Sequence, residues 1–199
     1  DLMHETGPGG RTALHVATSE NQGAMVRWLA QAGASLDTRD EEGLSALHLA
    51  TQEVEFEIGA QLIGMGAKLS QADKEGRTPL HLAIRNRRGI ASHALIEAGA
   101  DPAALDAEGS TPLHDAARLG DTESTERLLA VGAPVALSSE QLGTPLHAAA
   151  LAGKPRTASL LISAGAPVDA VYRDGWTPLL LSLLNDRAEL TTELIQAGA

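Results

Sequence analysis

The chain has 199 residues, of which 43% are hydrophobic, 2% aromatic and none cysteine. Apolar material made mostly of Ala, Leu, Ile and Val suits closely packed helices better than the aromatic-walled pocket of a globular enzyme. Without cysteine there can be no disulfide framework, thiolate zinc site or cysteine nucleophile. The net charge of −11 argues against nucleic-acid binding, which needs a positive field, and against docking on an anionic membrane surface.

The chain opens on Asp1 with no charged-then-apolar leader, so it reads as a trimmed piece. Its longest apolar run, around Leu179–Leu184, is too short to span a bilayer. The cytoplasm is the expected compartment. Residues 1–9 lie where the tail of a preceding unit would fall. A first helix is expected behind Thr12, whose hydroxyl suits an N-cap. A second apolar segment, Met25-Val26-Arg27-Trp28-Leu29, runs to Gly33, a left-handed helix stop. A polar, turn-rich link follows from Asp37 to Gly43.

This pattern then repeats every 33 residues. The capping hydroxyl recurs at Ser45, Thr78, Thr111, Thr144 and Thr177, and Leu14 recurs at Leu47, Leu80, Leu113, Leu146 and Leu179. The Gly33-Ala34 pair returns five more times, ending at Gly198-Ala199. Histidine follows the leucine at His15, His48, His81, His114 and His147; only the sixth copy differs, with Leu180. Proline stands at the first helical position in the last four copies (Pro79, Pro112, Pro145, Pro178), where its missing N–H costs nothing. Four columns in phase place the units at about 10–42, 43–75, 76–108, 109–141, 142–174 and 175–199, one repeat domain spanning 1–199. Each helix pair is marginal alone, so stacking must bury one continuous core.

The stretches Arg77-Thr78-Pro79-Leu80-His81-Leu82-Ala83, Ser110-Thr111-Pro112-Leu113-His114-Asp115-Ala116 and Thr144-Pro145-Leu146-His147-Ala148-Ala149 resemble the ankyrin-repeat motif. The resemblance covers nearly the whole chain. It implies an all-α repeat solenoid of helix–turn–helix units with projecting β-hairpin loops, in which the column histidines hydrogen-bond within and between units. It also implies a protein partner, bound by the hairpin tips and the exposed side of each first helix.

Three departures stand out. Leu142 occupies a glycine column and Gly143 comes one place late, which predicts a distorted fifth hairpin. Val54-Glu55-Phe56-Glu57-Ile58 alternates like a strand, but the repeat register assigns it to the turn and second helix of copy two. Copy six is apolar at Leu181, Leu183 and Leu184, where a capping unit should be polar, so further protein is expected to follow.

Catalytic patterns are missing. Gly153-Lys154 lacks the first glycine and the Ser/Thr of a phosphate loop. Gly64-Met65-Gly66 reads as a helix end, and Asp40-Glu41-Glu42 as a solvated hairpin tip rather than a calcium loop. The periodic histidines lie a full unit apart, roughly 10 Å, too far to share a zinc ion. His4 and His93 lie off that column. The reading is therefore not an enzyme, with no cofactor and no metal.

One column, seven residues after each cap, reads Ser19, Gln52, Arg85, Arg118, Leu151, Leu184; the next reads Glu20, Glu53, Asn86, Leu119, Ala152, Asn185. A hairpin column adds Arg11, Leu44, Arg77, Ser110, Gly143 and Trp176, with Tyr172 near the last tip. Arg77, Arg85, Arg87, Arg88 and Arg118 form a basic cluster in an acidic chain, beside leucines. Arginine and aromatic anchors are enriched at binding hot spots. The expected partner-binding residues are Arg77, Arg85, Arg118, Leu119, Leu151, Tyr172, Trp176 and Leu184, facing a protein segment with acidic and apolar groups. The bland reading is that the arginines balance Asp and Glu and that Leu151 and Leu184 are partly covered. An inhibitor or immunity-type protein that occludes an enzyme, and the non-catalytic arm of a larger enzyme or effector, are alternative roles.

Overall fold

The computed structural model describes residues 5–199; His4 lies outside them. Twelve α-helices follow a short 3-10 turn, Pro8–Gly10, among the described residues. They fall into two compact units, Asp1–Asp101 and Pro102–Ala199.

The first unit holds α1 (Ala13–Ser19), α2 (Gly23–Gln31), α3 (Ala46–Ala50), α4 (Glu57–Gly64), α5 (Pro79–Arg85) and α6 (Gly89–Glu97). Each odd helix packs on the even helix after it, and successive pairs stack, α1 on α3, α3 on α5 and α2 on α4. The second unit repeats the scheme with α7 (Pro112–Leu119), α8 (Thr122–Ala130), α9 (Pro145–Ala152), α10 (Pro155–Ser163), α11 (Pro178–Leu184) and α12 (Ala188–Gln196). There α7 packs on α9 and α9 on α11, while α8 packs on α10 and α10 on α12. Leu14, Leu47, Leu80, Leu113 and Leu146, one from each of the first five copies, are buried, as are Leu62, Leu95, Leu128, Leu161 and Leu194 from the second helices.

The helices are short because their ends are set chemically. Every second helix stops at its Gly-Ala pair: Gly33 has φ 93° and Gly165 φ 85°, and the alanine N–H behind each returns to a carbonyl inside the helix (Ala34 to Leu29, 3.0 Å). Between the two helices of a copy one residue turns left-handed: Asn21, Arg87, Gly120, Gly153 or Asp186. In copy two that position is Val54, whose branched side chain disfavours positive φ. The left-handed residue moves on to Phe56 (φ 55°), α3 ends early at Ala50 and α4 starts at Glu57. Phe56 is buried against Gly59, where any Cβ would lie 2.0 Å from the ring. The alternating stretch is thus turn and helix, as the repeat register requires.

Candidate partner-binding surface

The first helices of copies one to five begin with the same small network. The N–H of the capping residue donates to Nδ1 of the histidine three positions on, at 3.1 Å for Thr12–His15, Ser45–His48 and Thr111–His114 and 3.2 Å for Thr78–His81 and Thr144–His147. The cap hydroxyl lies 2.8–2.9 Å from the same nitrogen and accepts from the histidine's backbone N–H. Histidine here takes the place that Glu or Gln usually holds in a capping box.

A nitrogen that accepts a backbone N–H carries no proton, so the neutral ring has its hydrogen on Nε2. That Nε2–H donates to the next copy: His15 to the Leu44 carbonyl (3.0 Å), His48 to Arg77 (3.1 Å), His114 to Gly143 (2.9 Å) and His147 to Trp176 (3.3 Å). Burial holds the pKa of these four histidines below the usual value, partly offset by the carbonyls they bind. Among the described residues no three of His, Asp and Glu are grouped to hold a metal ion.

The hairpin column therefore marks the base of each hairpin and not its tip. The carbonyls of Leu44, Arg77, Gly143 and Trp176 receive the histidines, and Ser110 and Gly143 are buried. Leu44, Arg77 and Trp176 are half-buried, and Arg11 is exposed. The chain turns instead at Glu41-Glu42, Lys74-Glu75 and Ala107-Glu108.

Behind these tips an aspartate closes the loop. Asp40 Oδ1 accepts the N–H groups of Glu42 and Leu44 (both 2.9 Å), Asp73 those of Glu75 (3.0 Å) and Arg77 (2.8 Å), and Asp106 those of Glu108 (2.9 Å) and Ser110 (2.8 Å). All three are buried. Asp40 is thus a structural acceptor, and only Glu41 and Glu42 match the solvated tip expected there. The 33-residue aspartate column was the available signal.

The fifth and sixth hairpins lack that aspartate. Ser139 replaces it in the fifth, accepting only the Leu142 N–H (3.0 Å), and the loop closes through a Ser139–Gly143 bridge. The displaced Gly143 (φ 66°) leaves room that a Cβ would fill: it would lie 2.9 Å from both the His147 ring and the Tyr172 ring. Tyr172, which replaces the sixth aspartate, packs edge-on to His147 at 5.8 Å. Its hydroxyl donates to the Glu140 carbonyl (2.8 Å), which the Arg173 guanidinium also binds while lying 5.2 Å from the Tyr172 ring centre. The two hairpins line a shallow cleft with Ser138, Ser139, Glu140, Val171, Tyr172 and Arg173. Val171 and Arg173 escaped sequence reasoning, although the two missing aspartates mark where they lie.

The expected anchors divide between the units. In the first, Arg77 is held by Asp73 (2.7 Å) and Glu75 (2.8 Å), and half-buried Arg85 ends α5. In the second, Arg118, Leu151 and Leu184 stand at equivalent places on the stacked helices α7, α9 and α11. Leu151 is 42% and Leu184 65% exposed, whereas Leu119 is half-buried. Arg118 pairs with the buried Asp115 at 3.3 Å.

Two family models match the chain: one described as ankyrin repeats (3 copies), at residues 1–73 and 55–139, and one described as ankyrin repeats (many copies), at 146–195. No curated protein matches. Among solved structures, an ankyrin repeat domain from Acinetobacter baumannii AYE is 28% identical with a TM-score of 0.86, covering 94% of this chain and 97% of that one. The ankyrin repeat domain of Bcl-3, described as a unique member of the IkappaB protein family, is 27% identical with a TM-score of 0.85, covering 96% of this chain and 87% of that one.

Proposed function

The chain belongs to the ankyrin-repeat family, and from that premise we propose that it binds a partner protein through the side of its second unit carrying Arg118, Leu151 and Leu184, with the fifth and sixth hairpins alongside. Ankyrin repeats are in general protein–protein interaction modules and non-catalytic. The observation that carries the finer reading is the exposure of Leu151 and Leu184 at equivalent positions of stacked helices. Neighbouring exposed apolar side chains mark interaction surfaces more often than isolated ones do. The hairpins add an aromatic and a cation in Tyr172 and Arg173, so the segment that fits carries apolar side chains for the leucines and an acidic group for Arg173 or Arg118.

Arg77 and Arg85 belong to the same proposed set on the first unit. Arg77 already satisfies two carboxylates, so its share of the attraction is the smaller. Among the described residues no helix is long and apolar enough to cross a membrane.

The test is affinity capture with the wild type, a Leu151→Glu/Leu184→Glu variant and a Val131→Glu control, each checked by circular dichroism. Val131 is exposed at the C-terminal end of α8, a second helix, whereas Leu151 and Leu184 lie on the first helices α9 and α11. A protein held by the wild type and control but lost by the double variant supports the surface. A protein held equally by all three sinks it.

A further inference from the structure

The helices α8 and α10 of the second unit begin in two different ways. At α8 the N-cap is Asp121, whose carboxylate accepts the Ser124 N–H at 3.0 Å. One repeat on, at α10, the same place holds Lys154, which has no side-chain oxygen to offer, and no side chain caps the helix. Pro155 brings no N–H, and the Ala158 N–H is taken by the Lys154 carbonyl at 2.9 Å. The N–H groups of Arg156 and Thr157 are thus left without an acceptor inside the helix. A cation at this end also opposes the helix dipole, which favours negative charge there.

The surroundings point the same way. Thr157 is 1% exposed and its hydroxyl has no hydrogen-bond partner. Being buried, it forms the floor of a cleft of about 390 Å³ whose walls include Lys154 and Arg156. Arg187, the N-cap of α12, lines the adjoining cleft with Gly153 and Pro155. Among the described residues none of Lys154, Arg156 and Arg187 has an ion-pair partner. Two bare turns let the cations lie close: a Cβ at Gly120 would sit 2.6 Å from Lys154 Cδ, and one at Gly153 would run into the Arg187 guanidinium. Glu189 is the one carboxylate among the lining residues of both clefts, so positive charge prevails.

We propose that this cleft binds a phosphate monoester, whose oxygens take the place at α10 that the Asp121 carboxylate holds at α8. The oxygens accept the N–H groups of Arg156 and Thr157 and the Thr157 hydroxyl, while Lys154, Arg156 and Arg187 balance the charge. A phosphate dianion suits three cations set against one carboxylate better than a singly charged carboxylate does. The cleft is not a phosphate loop, since Gly153-Lys154 lacks that motif. Its anion binding comes from an uncapped helix start instead.

Amide chemical shifts followed by NMR test this. Inorganic phosphate, added at constant ionic strength, shifts the Arg156 and Thr157 amides along a saturating curve. Lys154→Asp rebuilds the cap found at α8, so it keeps the fold, raises the melting temperature and weakens phosphate binding about tenfold or more. Thr157→Val preserves the shape of the floor and weakens binding about fivefold. A short phosphoserine peptide distinguishes the sources of the group. Tighter binding than inorganic phosphate assigns a phosphorylated protein segment, weaker binding assigns free phosphate, and either supports the site. Shifts that rise linearly or spread evenly over the chain overturn the proposal, as does a Lys154→Asp variant that binds phosphate as well as the wild type. Phosphate is added without any partner protein and no substitution touches Leu151 or Leu184, so the result is separate from that of the partner-binding surface.

Discussion

The hairpins of copies two, three and four and those of copies five and six solve the same problem differently. In the first group a buried aspartate binds two backbone N–H groups, as with Asp73 and the N–H groups of Glu75 and Arg77. In the second group Ser139 makes one such bond and Tyr172 none, its ring lying against His147 instead. An aspartate-closed loop spends its side chains on its own backbone. A loop closed by ring packing sets a tyrosine, an arginine and an exposed valine along its outer side. Relaxing the framework at two hairpins therefore creates chemistry that the regular hairpins cannot offer, on the unit that also exposes Leu151 and Leu184.

That contrast can be broken most severely at Gly143. Gly143→Leu forces a Cβ into the His147 and Tyr172 rings at positive φ and is expected to cost about 3 kcal/mol or more in chemical denaturation. A loss under about 1 kcal/mol would mean the rings do not pack as described.

The aspartates come next. Asp73→Ala leaves two backbone N–H groups and a paired arginine without their acceptor, for an expected loss of about 2 kcal/mol. Ser139→Ala strands one, for about 1 kcal/mol. Equal losses would erase the distinction between the two hairpin types.

Acid should act on the capping histidines. His15, His48, His114 and His147 are buried as neutral rings, with pKa values below the ordinary value of about 6.5. The unfolded chain binds protons more readily than the folded one in this range. The stability they contribute is therefore complete above the unfolded value and is lost as pH falls through it toward the folded values, by up to about 1.4 kcal/mol per pH unit per histidine. Glu53 and Glu193, raised by burial, work in the opposite sense at lower pH. A melting temperature that is flat from pH 7.5 to 5 would contradict the burial of these rings in their neutral form. The smallest stability effect is expected for Leu151→Glu, within about 0.5 kcal/mol, because the side chain is exposed.

Much of this architecture is legible in the sequence because a column repeated every 33 residues carries its own phase. The register placed Val54–Ile58 correctly in turn and helix against a local strand-like alternation. It could not say which residue would turn left-handed once Val54 stood in that place, since the answer, Phe56, depends on the room above Gly59. The distortion of the fifth hairpin was readable from Leu142 and Gly143, but the tyrosine that fills the space lies a full repeat away. The aspartate column was visible too. Its role escaped because a charged residue in a turn looks solvated until its backbone partners are placed. Surface anchors were the least legible: Arg118 and Leu151 share a column, yet one meets a buried carboxylate and the other faces solvent.

On the proposed reading, Leu151 and Leu184 anchor a partner beside the two irregular hairpins. The most direct measurement is the affinity of the captured partner, by calorimetry, for the wild type, Leu151→Glu/Leu184→Glu and Arg173→Ala. A loss of about a hundredfold is expected for the leucine pair, and a smaller loss for Arg173→Ala that shrinks further as salt is raised. Unchanged affinity in the leucine variant would contradict it.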